Sequence, residues 1–449
     1  MIDAQTAQDR CAQALDAARR AGADAAEATA AAGSSEAVTV RLGKIEDVER
    51  SEGEEIALRV FVGQRSASVR TSDFTAQAFA EMAERAVAMA RLAPEDPYSG
   101  LVDSADLAGG SRDASALDLV DPHEPSPELL RDRALAAEDA ARAVAGVANS
   151  EASAASATRA LVSLATSEGF SGGYGATTHA LYCGVIAGEG GAMQRDSAQR
   201  VARHLEDLPP PDEVGRLAGE RAVARLNPAK LPSRVMPVVF DRRISASLVN
   251  YLVGSMCGVA AARKATFLLG HEQDELMDPA IRIVEDPHKP RGLRSRPFDG
   301  EGVATQRRDL IVDGRMFGWM TNRAAALQLG LPLTGHAGKG AGGTSVSNVD
   351  MAPGTISRES MIAEIEDGVL VTHAFGQGVN GVTGDFSRGA AGFRIRNGAI
   401  AEAVAEFTIA GNLLDMFARM TPANDPETHR AINVPTLRID GMTVAGDGE

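Results

Sequence analysis

The chain has 449 residues, 44% hydrophobic and 24% charged, a globular balance in which burial is not limiting and about two to four domains fit. Its formal net charge of −16 argues against long-range attraction to nucleic acid or anionic lipid, because phosphate is gripped largely by Lys and Arg. Only 4% of residues are aromatic while 46 are Gly, so small-residue packing with few aromatic platforms is expected.

Cys11, Cys183 and Cys257 lie far apart with no CxxC pair, which signals neither a disulfide framework nor a cysteine zinc site and fits a reducing cytoplasm. The amino terminus carries a polar helical pattern, and no apolar run approaches the ~18 to 20 residues of a membrane span, so neither a signal peptide nor a transmembrane segment is expected. A helix over Thr6–Ala21 is predicted from Thr6 and Asp9 in capping-box spacing, apolar positions at Cys11, Leu15 and Ala18, and Gly22 past its end. Short strands follow at Ala37–Val40, Ile45–Arg50, Ile56–Val62 and Ser66–Arg70, and Asp73 caps a second helix bearing Phe79, Met82, Ala86 and Met89. Asp96–Asp121 reads as a linker or long loop. Ser126-Pro127 starts another helix, and strands resume at Glu151–Ala165. Ser51-Glu52-Gly53 and Ser167-Glu168-Gly169 hint that the helix-and-meander unit is duplicated.

A helix ending near Leu226, with Pro209-Pro210-Pro211 before it and Pro228 after it, marks the next boundary. Beyond it Asp313-Gly314, Asp367-Gly368, Asn397-Gly398 and Asp440-Gly441 sit between strand-like runs, as tight antiparallel hairpins require. Helices are expected at Arg243–Met256, Arg358–Glu366 and Ile409–Met420. The fold class is therefore α+β, with a helix-plus-β-meander N-terminal domain (1–112), a central helix-and-strand region (113–228) and a C-terminal domain rich in antiparallel sheet (229–449).

Three motifs invite chemistry. His271-Glu272 opens like a zincin, but Glu275 and Leu276 stand where a second His would, so surface charge is the better account. Gly169-Phe170-Ser171-Gly172-Gly173 matches the G-x-S-x-G elbow, yet a Gly-rich loop and then a strand follow it where a helix is needed; Ser171 is kept as a rival nucleophile. Gly335–Ser345 is glycine-dense around Lys339 but lacks the Ser or Thr and the helix start of a phosphate loop. A mobile loop is one reading; a bare backbone that an extended peptide approaches, near Ser345, Ser347 and Asn348, is the other. Asn380, Asp385, Ser387 and Arg388 form a second polar cluster, either a structured turn or part of a peptide-binding or subunit surface, with Arg388 able to grip a carboxylate. The basic run His288–Arg308, broken by Pro, Gly and acidic residues, reads as a solvated loop.

Five pieces in order, Pro237–Asp241, Phe298–Gly302, Ser347-Asn348 before Pro353-Gly354, Thr383–Gly389 and Glu406–Leu413, resemble the PmbA (TldE) branch of the TldD/PmbA family. The resemblance spans about 235 to 420 in motif and the amino-terminal half in layout. It implies a two-subunit peptidase acting on unfolded or small peptides, in peptide maturation or antitoxin turnover. There a TldD-type partner carries zinc on a His-Glu-x-x-x-His helix. Direct DNA binding does not follow from the family's older association with DNA gyrase. The corresponding stretch here, Ser247–Gly254, has neither His nor carboxylate, so the resemblance implies no catalytic residue and no metal in this chain. The expected partners are a TldD-type subunit and an unfolded peptide, with a homodimer left open; an independent Ser171 hydrolase and a non-proteolytic peptide-binding scaffold are the rivals.

Overall fold

The computed structural model describes residues 2–109, 113–339, 342–376 and 378–448; Gly340 and Ala341 of the glycine-dense loop, and residue 112 at the expected first boundary, lie outside the described residues. Helix α1 (Ala4–Ala21) is capped by Asp3, whose carboxylate accepts the Thr6 N–H at 2.7 Å, so the cap lies three residues before the expected one. Strands β1 (Ala25–Arg41), β2 (Lys44–Val62) and β3 (Arg65–Thr71) form a meander that leads into α2 (Ala76–Leu92). Thr75 caps α2, with Asp73 bonding the Thr75 N–H behind it, which shifts that cap too. The order then repeats with α3 (Pro127–Arg142), β4 (Val147–Thr166), β5 (Ser171–Ala187), β6 (Gln194–Ala202) and α4 (Pro211–Ala224). Ser126 caps α3 as its sequence requires.

Both meanders join in one antiparallel sheet of order β3-β2-β1-β4-β5-β6, arranged symmetrically about the β1/β4 pair. The duplication is thus one of topology. Ser51-Glu52-Gly53 lies inside β2 whereas Ser167-Glu168-Gly169 lies in the β4–β5 connection, so that shared tripeptide does not mark equivalent positions. On one face Ala26, Ala28, Ala30 and Ala32 are buried beneath α1 and α2, and Val38 and Val40 beneath α3 and α4. With a side-chain period of two, Thr29, Ala31 and Gly33 point the other way, toward the C-terminal half. Glu138 on α3, fully buried, accepts the N–H groups of Leu42 and Gly43 at 2.8 and 2.7 Å, pinning the β1–β2 turn to the second unit.

The C-terminal half carries two further sheets. One has the order β10-β9-β8-β11-β16, built from β8 (Ile283–Asp286), β9 (Arg308–Val312), β10 (Arg315–Met316), β11 (Asn348–Met351) and β16 (Ile432–Asn433). The other comprises β7 (Pro232–Phe240), β12 (Asp367–Phe375), β13 (Asp385–Arg396), β14 (Ala399–Asn412), β15 (Met420–Pro422) and β17 (Leu437–Asp447). Because β17 pairs with both β7 and β14, the ring β14-β13-β12-β7-β17 closes into a barrel filled by residues such as Val238, Phe240, Val371, Ile409 and Ile439. Most pairings are antiparallel, as expected; β12/β7 and β11/β16 are parallel.

Around these sheets run α5 (Arg242–Ser255), α6 (Gly258–Ala262), α7 (Arg323–Leu329), α8 (Arg358–Ala363) and α9 (Leu413–Ala418). Asp313-Gly314 and Asn397-Gly398 make the expected hairpin turns, both residues of each at positive φ. Asp367-Gly368 instead opens β12, and Asp440-Gly441 forms a bulge inside β17, since pairing with β7 continues on both sides. The helix expected from Ile409 is short, because β14 runs to Asn412 and its pairing with β13 takes those backbone groups. Among the described residues no helix is long and apolar enough to cross a membrane.

Candidate functional site

Small residues on the open face of the sheet leave a trough where larger ones would fill it. A cavity of about 580 Å³ lies between Ala160, Val162 and Tyr174 of the sheet and Asn250, Gly254, Arg296 and Ser345 of the C-terminal half. It shares Ala160 and Val162 with a groove of about 820 Å³ that runs over Thr29, Ala31 and Gly33. On its other side, Asn250, Leu293 and Arg294 are shared with a third cavity of about 610 Å³. Helix α5 is the wall between the first and third cavities.

Asp241 caps α5 by accepting the Arg243 N–H at 3.0 Å, and Leu248, Val249, Leu252 and Val253 bury one face in the C-terminal core. Ser247, Asn250 and Gly254, spaced three and four apart, share the face turned to the cavities. A hydroxyl, a carboxamide and a bare Cα do not fit a zinc ion, which takes thiolate, imidazole or carboxylate ligands. Among the described residues no three His, Cys, Asp or Glu side chains converge as a metal site.

The basic run is only in part a solvated loop: Arg294 and Arg307 are exposed, but Arg291 and Arg296 are tied down. Arg291 bonds Asp118 at 2.6 Å, Glu206 at 2.7 Å and Asp207 at 3.1 Å, all from the N-terminal half, and this holds its guanidinium strongly protonated. Arg296 donates to the Ser345 hydroxyl at 2.8 Å and to its carbonyl. From the opposite side Arg203 donates to the Thr177 carbonyl at 2.9 Å and to the carbonyls of Gly292 and Leu293. The expectation failed for Arg291 and Arg296 because their partners come from distant sequence.

The predicted site residues fall into two places. Ser345 is in the cleft wall, whereas Ser347 and Asn348 lie buried behind it. Asn348 accepts the Arg294 N–H at 2.9 Å and donates to the Asp286 carbonyl and the Ser295 hydroxyl, so it fixes the loop that carries Arg294 and Arg296. The Ser347 N–H donates to Glu285, whose other oxygen meets His336 at 2.5 Å. Burial opposes ionisation of Glu285, but His336 and the Ser347 N–H hold its carboxyl below the usual range. Asn380 closes an Asx turn on Val382 and Thr383, and Asp385 accepts the Thr383 hydroxyl at 2.6 Å; the Ser387 N–H bonds the Gly378 carbonyl at 2.6 Å. Arg388 is committed to the Phe375 and Ala374 carbonyls and, at 2.6 Å, to the Tyr251 hydroxyl on α5, so it braces the barrel against α5 and does not stand ready for a carboxylate.

Ser171 opens β5 and runs straight into strand, so the strand–turn–helix elbow is absent and the loop expected beyond Tyr174 is also strand. His271 is exposed and pairs with Asp274 at 2.7 Å, the surface role expected of it. Sequence reasoning missed Arg203, Arg294, Arg296 and Tyr174 as cleft residues. It also missed the role of Asp299, which knots the Phe298–Gly302 loop by accepting the N–H groups of Glu301, Val303 and Ala337 at 2.9 Å each. Phe298 packs edge-on against Tyr174 at 5.4 Å, so this loop forms part of the seam between the halves. The Asp-Gly-Glu-Gly run was the available signal.

Solved structures define the class by fold. A Bacteroides thetaiotaomicron protein proposed as a modulator of DNA gyrase superposes with a TM-score of 0.91 at 24% identity, over 100% of both chains. TldE from Thermococcus kodakarensis does so with 0.83 at 20%, over 97% of this chain and 100% of its own. Family models of the PmbA/TldA metallopeptidase match in three parts, domain 1 at 26–90, the central domain at 120–226 and the C-terminal domain at 233–446. Metalloprotease PmbA of Escherichia coli O157:H7 is 37% identical over 94% of this chain and 92% of its own length. A PmbA homolog of Haemophilus influenzae is 33% identical over 97% and 95%. The chain belongs to the PmbA/TldD metallopeptidase family, as a PmbA-like member.

Proposed function

We propose that this chain is the metal-free subunit of a peptidase whose metal is carried by a TldD-type partner, and that its own cleft holds an extended, unfolded peptide. The observation that carries the reading is α5. It walls the cleft as a catalytic helix would, yet it presents Ser247, Asn250 and Gly254 in place of ligands. The trough has small residues along β1, Thr29, Ala31 and Gly33, with longer charged side chains such as Glu27, Glu55, Arg59 and Arg70 also lining it, and it leaves room for an extended chain, while a folded domain is too wide for it. Of the glycine-dense loop, Lys339 and Ser345 line the cleft and Lys339 also lines the trough, so both are placed to meet that chain. Zinc, activated water and general base would belong to the partner.

The test is cleavage of an unstructured peptide by this chain, by a TldD-type partner and by their mixture, each with and without a chelator. Cleavage that is greatest in the mixture and lost on chelation is expected. Chelator-resistant cleavage by this chain alone would overturn the reading and return attention to Ser171.

A further inference from the structure

The third cavity, on the far side of α5 from the trough, has a charge pattern that the reading above does not use. Arg200 on β6, Arg221 on α4, Arg243 on α5, and Arg294 and Arg430 on loops all line it, in a chain whose net charge is −16. The nearby carboxylates are already engaged. Asp196 faces Arg243 and His373 at 3.3 Å and Arg225 at 4.0 Å; burial disfavours its charge, yet His373 and Arg243 hold its carboxyl at about 2. Glu427 is shared by Arg242 and Arg430, both at 3.1 Å, and His429 at 3.6 Å.

That leaves Arg200, Arg221 and Arg294, none of which forms an ion pair among the described residues. Arg200 and Arg221 each reach a backbone carbonyl, of Gln199 at 2.9 Å and Ser197 at 3.1 Å, which satisfies one donor and neutralises no charge. Burial, with Arg243 close by, pushes the Arg221 guanidinium down to about 10. Arg200 and Arg221 are half-buried and Arg294 is exposed; Glu427 and Glu213 act on Arg200, and Asp196 and Asp241 on Arg221, only through space and without an ion pair among the described residues, so an anion bonded directly to the three completes them, and planar forked donors suit a carboxylate held by two bonds. Asn250, Leu293 and Arg294 are common to this cavity and the central cleft, so a peptide in the cleft has this anion trap beside it.

We propose that the arginine-lined cavity is a carboxylate-binding subsite, in which Arg200, Arg221 and Arg294 grip an acidic side chain or the terminal carboxylate of the bound peptide. This rests on the peptide-holding role proposed above. The subsite makes this chain selective for acidic or free-ended peptides, a preference set outside the metal-bearing subunit.

The test measures fluorescence anisotropy of a dye-labelled, unstructured peptide containing one Glu and a free carboxyl end, titrated with the full chain alone. Its counterparts carry an amidated end, Glu→Gln, or both. Arg200→Gln and Arg221→Gln, on different elements and each checked for an unchanged melting midpoint, should weaken acidic-peptide binding by about ten-fold or more, and Arg221→Lys should recover part of it. The doubly neutral peptide should bind wild type and variants alike, and whichever single neutralisation costs affinity identifies the carboxylate. Equal binding of the acidic peptide by wild type and both variants would overturn the proposal. So would arginine-dependent binding of inorganic phosphate that the acidic peptide does not displace. Partner-dependent cleavage is not read here, so its failure would sink the subunit reading while leaving the subsite standing or falling on its own titration.

Discussion

Glu301 shows what one residue at the seam costs. It is largely buried, and burial, with Asp299 and Glu27 nearby, lifts its carboxyl to about 7, although it accepts the Arg323 N–H at 2.8 Å. The neutral form is thus favoured in the folded state. Stability from this group is fully present below the unfolded value near 4.5 and is lost as pH rises to about 7. The loss is at most about 3 kcal/mol, from roughly 1.4 kcal/mol for each tenfold change in proton affinity. Glu301→Gln keeps an oxygen for the Arg323 N–H and removes the titration. Its urea midpoint should match wild type near pH 4.5 and exceed it at pH 8; parallel pH profiles for the two proteins would refute the assignment.

At the scale of elements, α3 and α4 pack through glycine. A Cβ at Gly215 would fall inside the van der Waals shell of the Ala137 carbonyl, and one at Gly219 would lie 2.8 Å from the Ala141 carbonyl. In an exposed helix Gly→Ala gains about 1 kcal/mol. Here the close approach reverses the sign, so Gly215→Ala should destabilise by about 2 kcal/mol as α4 is pushed from α3, read as a lower urea midpoint at unchanged slope. Sequence pattern found the start of α3 and both ends of α5 to within a residue, because a Ser-Pro helix start and an apolar stripe are local signals. It shortened β1 and β2, whose Ala-rich and charge-rich halves have no apolar alternation; their order comes from neighbours such as β4, up to about 140 residues away. The site was half legible for the same reason. The missing ligands of α5 can be read in the chain, but Arg203 reaches the cleft only because the fold carries β6 and its trailing loop to the 292–296 loop.

On the scale of the whole molecule, the three cysteines report three layers. Cys11 on α1 is buried against the Ser163 carbonyl and Cys183 on β5 against Ala137 of α3, and burial pushes their thiols to about 11 and about 12. At pH 8 no more than about a thousandth of either is thiolate, and each lies beneath a helix pair, so both should label only through opening of the fold. Cys257 is partly exposed and lines the central cleft between the two halves. A maleimide titration of the native chain should therefore modify one thiol quickly and all three in denaturant, with mass mapping placing the fast label on Cys257. If the cleft is where peptide lies, a bulky maleimide at Cys257 should weaken peptide binding by about ten-fold or more, and the Cys257→Ser protein treated in the same way should bind normally. Rapid native labelling of Cys11 or Cys183 would show that the helix layers open far more readily than their packing implies. Undiminished peptide binding with a bulky group fixed on Cys257 would move the peptide path off the seam and onto another face of the sheet.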